Sequence, residues 1–193
     1  MIMAFDALGA LLSAMRYARK NRGKAAMALV AFVALIAFLT GMLGQFVLVV
    51  AVFAELALAF FLGEWQLRKV GIELVTFVTV LVGFVYGPSA GLVMGGVLVA
   101  LHFVLARNLG AHLVYCIPAM ALIGFLAGYG GAWPFGVAML GVSLSALYNI
   151  ATGAIGTVMF GDFFQELVWS GTNFALNYVL FTLLAPAVLA AVT

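Results

Sequence analysis

Charge is what this chain has least of. Asp, Glu, Lys and Arg make up only 7% of its 193 residues, where a soluble domain carries about 25%. Fourteen charged side chains (8 basic, 6 acidic) cannot cover a water-exposed surface of this size, so a soluble globular protein is excluded and lipid is the expected solvent. Cysteine is represented by Cys116 alone. That excludes an internal disulfide and leaves the redox compartment open. A metal-binding signature is missing too, since the two histidines, His102 and His112, show no ligand spacing with the few carboxylates. They read as ordinary interfacial residues. A secretory leader is not expected, because the apolar run after Lys24 is far longer than an h-region and ends in no cleavage-like site. Nor is a nucleic-acid site. Net charge is +2, and five of the eight basic residues lie between Arg16 and Lys24, a stripe that suits a membrane surface.

What is abundant is hydrophobic sequence, 67% of the chain. Residues 1–24 form a basic N-terminal segment. Within it Phe5, Leu8, Leu12 and Met15 fall on one helical face, as in an amphipathic helix lying on a membrane or in an extension of the first spanning helix. Ala25 to Leu62 is interrupted only by Thr40, Gln45 and Glu55. As one helix it would be about 57 Å long, against a hydrocarbon core of about 30 Å, so a split near Thr40–Gln45 gives two spans. Further spans are expected at 71–86, 89–106, 112–129, 134–157 and 166–190. The sequence thus predicts an all-α, polytopic integral membrane bundle of six to seven transmembrane helices, with residues 1–193 forming a single transmembrane domain in the cell membrane. The count is six if the first run makes one irregular crossing.

The "GPSAG" of Gly87–Gly91 also spells G-x-S-x-G. A serine nucleophile needs a strand-turn-helix elbow and a histidine within reach. Ser89 opens a helix instead, and His102 lies 13 residues along it, roughly 20 Å away. The stretch is a turn between two spans, and the glycines at 91, 95 and 96 suit close helix packing. Too few ionisable groups converge to suggest an enzyme, although an intramembrane enzyme using Glu55, His102, His112 or Asp162 is the third reading after the two below.

Alternating turns place 63–70, 107–111 and 158–166 on one side, carrying Glu64, Trp65, Arg68, Lys69, Arg107, Asp162 and Glu166. The turns at 86–90 and 130–134 carry no charge. If 25–62 is a hairpin, all basic residues share the polar side and the positive-inside bias makes it cytoplasmic. If 25–62 crosses once, the polar turns face outward. Ionisable and amide side chains within spans default to functional hypotheses. Glu166, Ser170, Asn173 and Asn177 form one helical stripe, Asn149 sits mid-span, and Glu73 shares a helical face with Thr76 and Thr79. Glu55 is the deepest acid and is expected to contact substrate or to make a structural hydrogen bond. His102 is expected one turn from the polar side, facing Arg107 and His112. The candidate substrate-binding residues are Glu64, Trp65, Glu73, His102, Asn149, Trp169, Asn173 and Asn177. No catalytic residue, metal or cofactor is expected.

Ile72–Gly96, an apolar helix ending in a Gly-Pro turn followed by spaced glycines, resembles the second and third helices of substrate-binding S components of energy-coupling factor (ECF) vitamin transporters. "ALIGFLAGYGG" (121–131) is similar to their fourth helix and "NYVLFTLLAPAVL" (177–189) to their last. The resemblance implies a membrane subunit capturing a small water-soluble micronutrient, with a transmembrane coupling protein and cytoplasmic ATPases as partners. It also implies outward-facing polar turns. The chain is similar in size and glycine usage to MreD-like cell-shape membrane proteins as well, which implies a scaffold without a ligand.

Overall fold

The computed structural model describes residues 46–64 and 70–192. The basic N-terminal segment, the first expected span, Trp65, Arg68 and Lys69 lie outside the described residues. The described chain is helical and contains no strand. In order it forms α1 (Phe46–Glu64), α2 (Val75–Tyr86), α3 (Pro88–Leu105), α4 (Leu113–Ala127), a 3₁₀ turn (Gly130–Ala132), α5 (Gly136–Phe160) and α6 (Phe163–Val179). A π-helical turn (Leu180–Leu184) then leads into α7 (Ala185–Val192). The π turn ends just before Pro186, whose missing N–H and bulky ring disfavour an ordinary turn over Thr182.

Among the described residues, four helical stretches are long and apolar enough to cross a membrane: Val47–Glu64, Pro88–Leu105, Gly136–Phe160 and Phe163–Ala190. Two apolar helices are shorter, α2 and α4. The difference from the expected span at 71–86 has a local cause. Residues 71–73 are not helical, and α2 begins only at Val75, so α2 is 12 residues, about 18 Å, long.

That short helix is the centre of the bundle. Every residue from Val75 to Gly83 is buried, as its all-round apolar sequence requires. It packs against α1, α3, α4 and α5. Gly87, at φ 92°, ends α2, and Pro88 starts α3. The left-handed backbone there is open to glycine and strained for other residues. Ser89 of the G-x-S-x-G match is exposed beside this turn. Next, α3 and α4 pack backbone to backbone, for a side chain at Gly91 would strike the carbonyl of Gly124 and one at Gly124 that of Gly91. This is small-residue packing, in which backbones approach because nothing stands between them.

The ends of the helices sort by polarity. At one end Arg107, which follows α3, bonds Glu64 at the end of α1. At the other, Gly128 backs onto the uncharged Gly87–Pro88 turn. Outward faces are apolar: Val93 is 60% exposed, Val97 52%, Ile150 71% and Val158 87%. Polar side chains are inside, with Glu55, Glu73, Thr76, Ser145, Asn149, Asn173 and Asn177 all buried. Asp162 caps α6 by accepting the Gln165 N–H at 3.0 Å, the ordinary role of an aspartate at that position.

Candidate functional site: a buried polar cluster at the head of α2

The segment 70–74 brings an unsatisfied helix N-terminus into the bundle, and two carboxylates meet it. Glu55, from the middle of α1, accepts the Leu74 N–H through Oε2 at 2.5 Å. Glu73 turns back on its own helix, accepting the Val75 N–H through Oε2 at 3.0 Å and the Thr76 hydroxyl through Oε1 at 2.9 Å. The first N–H groups of a helix have no partner within it and carry about half a positive charge. A buried pair of acids is therefore most stable at such an end.

Two further elements complete the cluster. From α3, His102 places Nδ1 2.5 Å from Glu55 Oε1. Its side chain is 12% exposed while Glu55 is fully buried. Glu55, Glu73 and His102 each present one potential ligand atom, all within 4.8 Å of one another. From α6, Asn173 is a hub. Its Nδ2 donates to Glu73 Oε1 at 2.7 Å and to the Gly71 carbonyl at 3.2 Å. Its Oδ1 accepts from Asn149 Nδ2 at 2.8 Å and Asn177 Nδ2 at 3.2 Å. Asn149 also donates to the Ser145 carbonyl at 2.9 Å, and its own carbonyl accepts the Ser170 hydroxyl at 3.4 Å. Counted along α6 from Phe163, Asn173 lies about 15 Å in, near the middle of the bundle.

The network is saturated at its hub and open at its ends. Asn149 Oδ1 and Asn177 Oδ1 are buried and receive no hydrogen bond. A buried acceptor without a donor costs about 1–3 kcal/mol; the Thr79 and Tyr86 hydroxyls are likewise buried without a partner. Beside the cluster a groove of about 700 Å³ runs between α5 and α6, lined by Asn149, Gly153, Glu166, Ser170 and Phe174 among others. Asn173 and Asn177 do not line it.

Of the residues proposed from sequence, Glu73, Asn149, Asn173 and Asn177 belong to one network. His102 bonds Glu55, a fully buried acid, and so stands beside Glu73 of that network. Trp169 stands against buried Tyr148 with ring centroids 6.4 Å apart. Glu64 is apart from the cluster, at the bundle end with Arg107. His112, at the head of α4, bonds the Asn108 carbonyl at 2.8 Å. Thr76 gives its hydroxyl to Glu73 rather than to its own helix backbone. Glu55 carries more than the sequence reading gave it, and its signal was there: it is the one acid in a 38-residue apolar run. Ser145 was missed, although it stands one helical turn before Asn149.

The chain matches no protein-family model, no curated protein and no solved structure.

Proposed function

We propose that the chain is a multi-pass protein of the cell membrane, with six or seven spans, that binds a small water-soluble solute in its interior. Its role is that of the substrate-binding subunit of an ECF-type transporter, working with a transmembrane coupling protein and cytoplasmic ATPases and catalysing no reaction itself. Membrane insertion is supported by the inverted polarity of the bundle. Water-soluble proteins put carboxylates and amides outside, and here Glu55, Glu73, Asn149, Asn173 and Asn177 are inside while many valines, leucines and phenylalanines face out.

One observation carries the binding reading: the donor-less oxygens of Asn149 and Asn177 inside an otherwise connected network. A bundle built only for rigidity gains nothing from two buried acceptors left open. A solute bearing N–H or O–H groups would satisfy both. Ionisable groups held deep in a membrane bundle commonly mark solute or ion pathways, and Glu73 stands two hydrogen bonds from each open oxygen's side chain or closer. The resemblance to S components supplies the transport context and the partners.

An MreD-like scaffold is the second reading. It is favoured by the full burial of Asn173 and Asn177 and by their separation from the α5–α6 groove. Thermal unfolding of the detergent-purified protein against a panel of vitamins and related metabolites separates the two. Solute binding predicts a concentration-dependent rise in melting temperature for one chemical class. No shift across the panel, with no small molecule retained through purification, would leave the scaffold.

A further inference from the structure

We propose that Glu55, Glu73 and His102 form a binding site for one first-row divalent transition-metal ion. The three ligand atoms come from α1, from the segment leading into α2 and from α3, and they lie within 4.8 Å of one another. One imidazole and two carboxylates suit ions of the zinc, cobalt, iron and manganese kind; calcium and magnesium prefer oxygen alone.

Three features separate this from a chance cluster of acids. First, both carboxylates are arranged as acceptors. Glu73 receives donors on both oxygens, from Val75, Thr76 and Asn173, and Glu55 receives the Leu74 N–H and faces His102. Both carboxylates are thus held in place by donors from the protein itself, with their oxygens turned toward His102 and toward each other. Second, those same donors are what holds metal-ligating carboxylates in orientation, and such supporting bonds matter nearly as much as the ligands. Third, the ligands are graded in exposure: Glu55 and Glu73 are buried, while the His102 side chain is 12% exposed. His102 is thus the ligand nearest the periphery.

The hydrogen bond between Glu55 and His102 is the competitor. At 2.5 Å their atoms are closer than two ligands of one ion, which stand about 3 Å apart for bonds near 2.1 Å. Binding therefore breaks that hydrogen bond and opens the pair by about half an ångström. Affinity rises with pH because imidazole and carboxylate ligands must be deprotonated to bind an ion. The inference goes beyond the solute reading, for the ion binds whether or not an organic solute is carried.

The test uses full-length, tag-free protein in detergent, stripped with chelator and titrated with Co²⁺. The expected result is one ion per chain by elemental analysis and an X-ray absorption shell of one imidazole with oxygens. Glu73→Gln and His102→Gln should weaken binding at least about tenfold, and His112→Gln should leave it unchanged. Wild-type protein that takes up no stoichiometric ion, a shell containing sulfur, or binding unaltered in His102→Gln would each overturn the proposal. If the variants do not fold, the wild-type stoichiometry and shell decide alone. A solute-induced thermal shift in wild-type protein that takes up no Co²⁺ would remove the metal site and leave the solute reading standing.

Discussion

Asn173 Nδ2 donates to Glu73 Oε1 at 2.7 Å across 100 residues of sequence, tying α6 to the head of the central helix. The same side chain accepts from Asn149 and Asn177. Asn173→Leu therefore removes a donor from a buried carboxylate and strands two amides at once. The expected loss is on the order of 3–5 kcal/mol, read as reduced thermal stability in detergent. Asn177→Leu removes only bonds to Asn173 and an oxygen that already lacks a donor, so about 1 kcal/mol or less is expected. Equal losses would show that Asn173 is not the hub.

The α3–α4 contact makes a second prediction. Gly91→Leu or Gly124→Leu drives a side chain into the facing backbone, where relaxation is difficult, and should cost at least about 1–3 kcal/mol or prevent recovery of folded protein. At Gly96 the first atom met is the Ala121 Cβ, 3.7 Å away, so Gly96→Ala should unfold at the wild-type temperature or slightly above, helped by alanine's higher helix propensity. Comparing monodisperse yield and melting temperature of the variants checks this.

Two acid–base pairs should respond very differently to truncation. Glu64 and Arg107 meet with side chains 40% and 42% exposed, where solvent screens the pair, and Glu64→Ala should change stability by under about 1 kcal/mol. Glu55 is fully buried against His102 and the Leu74 N–H. Glu55→Ala leaves both without a partner and should cost about 3–5 kcal/mol. Denaturation of the two variants side by side distinguishes these effects; a mild Glu55→Ala phenotype would contradict the placement of that acid.

Membrane placement is tested by labelling. Cys116 is buried, so the wild type should resist a membrane-impermeant maleimide. Asp162→Cys and Ser89→Cys sit at exposed positions at the charged and uncharged ends. In intact cells one should label and the other only after permeabilisation, which also settles the orientation. Labelling of both in intact cells would contradict a spanning bundle.

The helices from residue 46 onward were largely legible in the sequence, because long apolar runs punctuated by the Gly87–Pro88 turn and the Gly-Gly-Ala-Trp-Pro turn at 130–134 leave few alternatives. The stripe Glu166, Ser170, Asn173 and Asn177 was legible from spacing alone, and its two asparagines do face inward. What spacing could not reveal was the extended segment 70–74. Ile72 to Leu74 reads as apolar helix, and only the capture of the Leu74 and Val75 N–H groups by Glu55 and Glu73 shows why the helix starts late. Likewise His102 looked like a companion of Arg107, about 1.4 helical turns further along the chain. Its partner, Glu55, lies 47 residues earlier, and a pairing of that separation comes from packing rather than from local pattern.

The central claim is that the buried amide cluster is a place where a small polar molecule sits. Native mass spectrometry of the protein released from detergent tests it most directly, comparing wild type with the Asn149→Leu, Asn177→Leu double variant after exposure to the metabolite panel. The account predicts a wild-type complex with one bound small molecule that the folded double variant does not form. Protein masses free of any such molecule in both, or the same molecule retained equally by both, would contradict it.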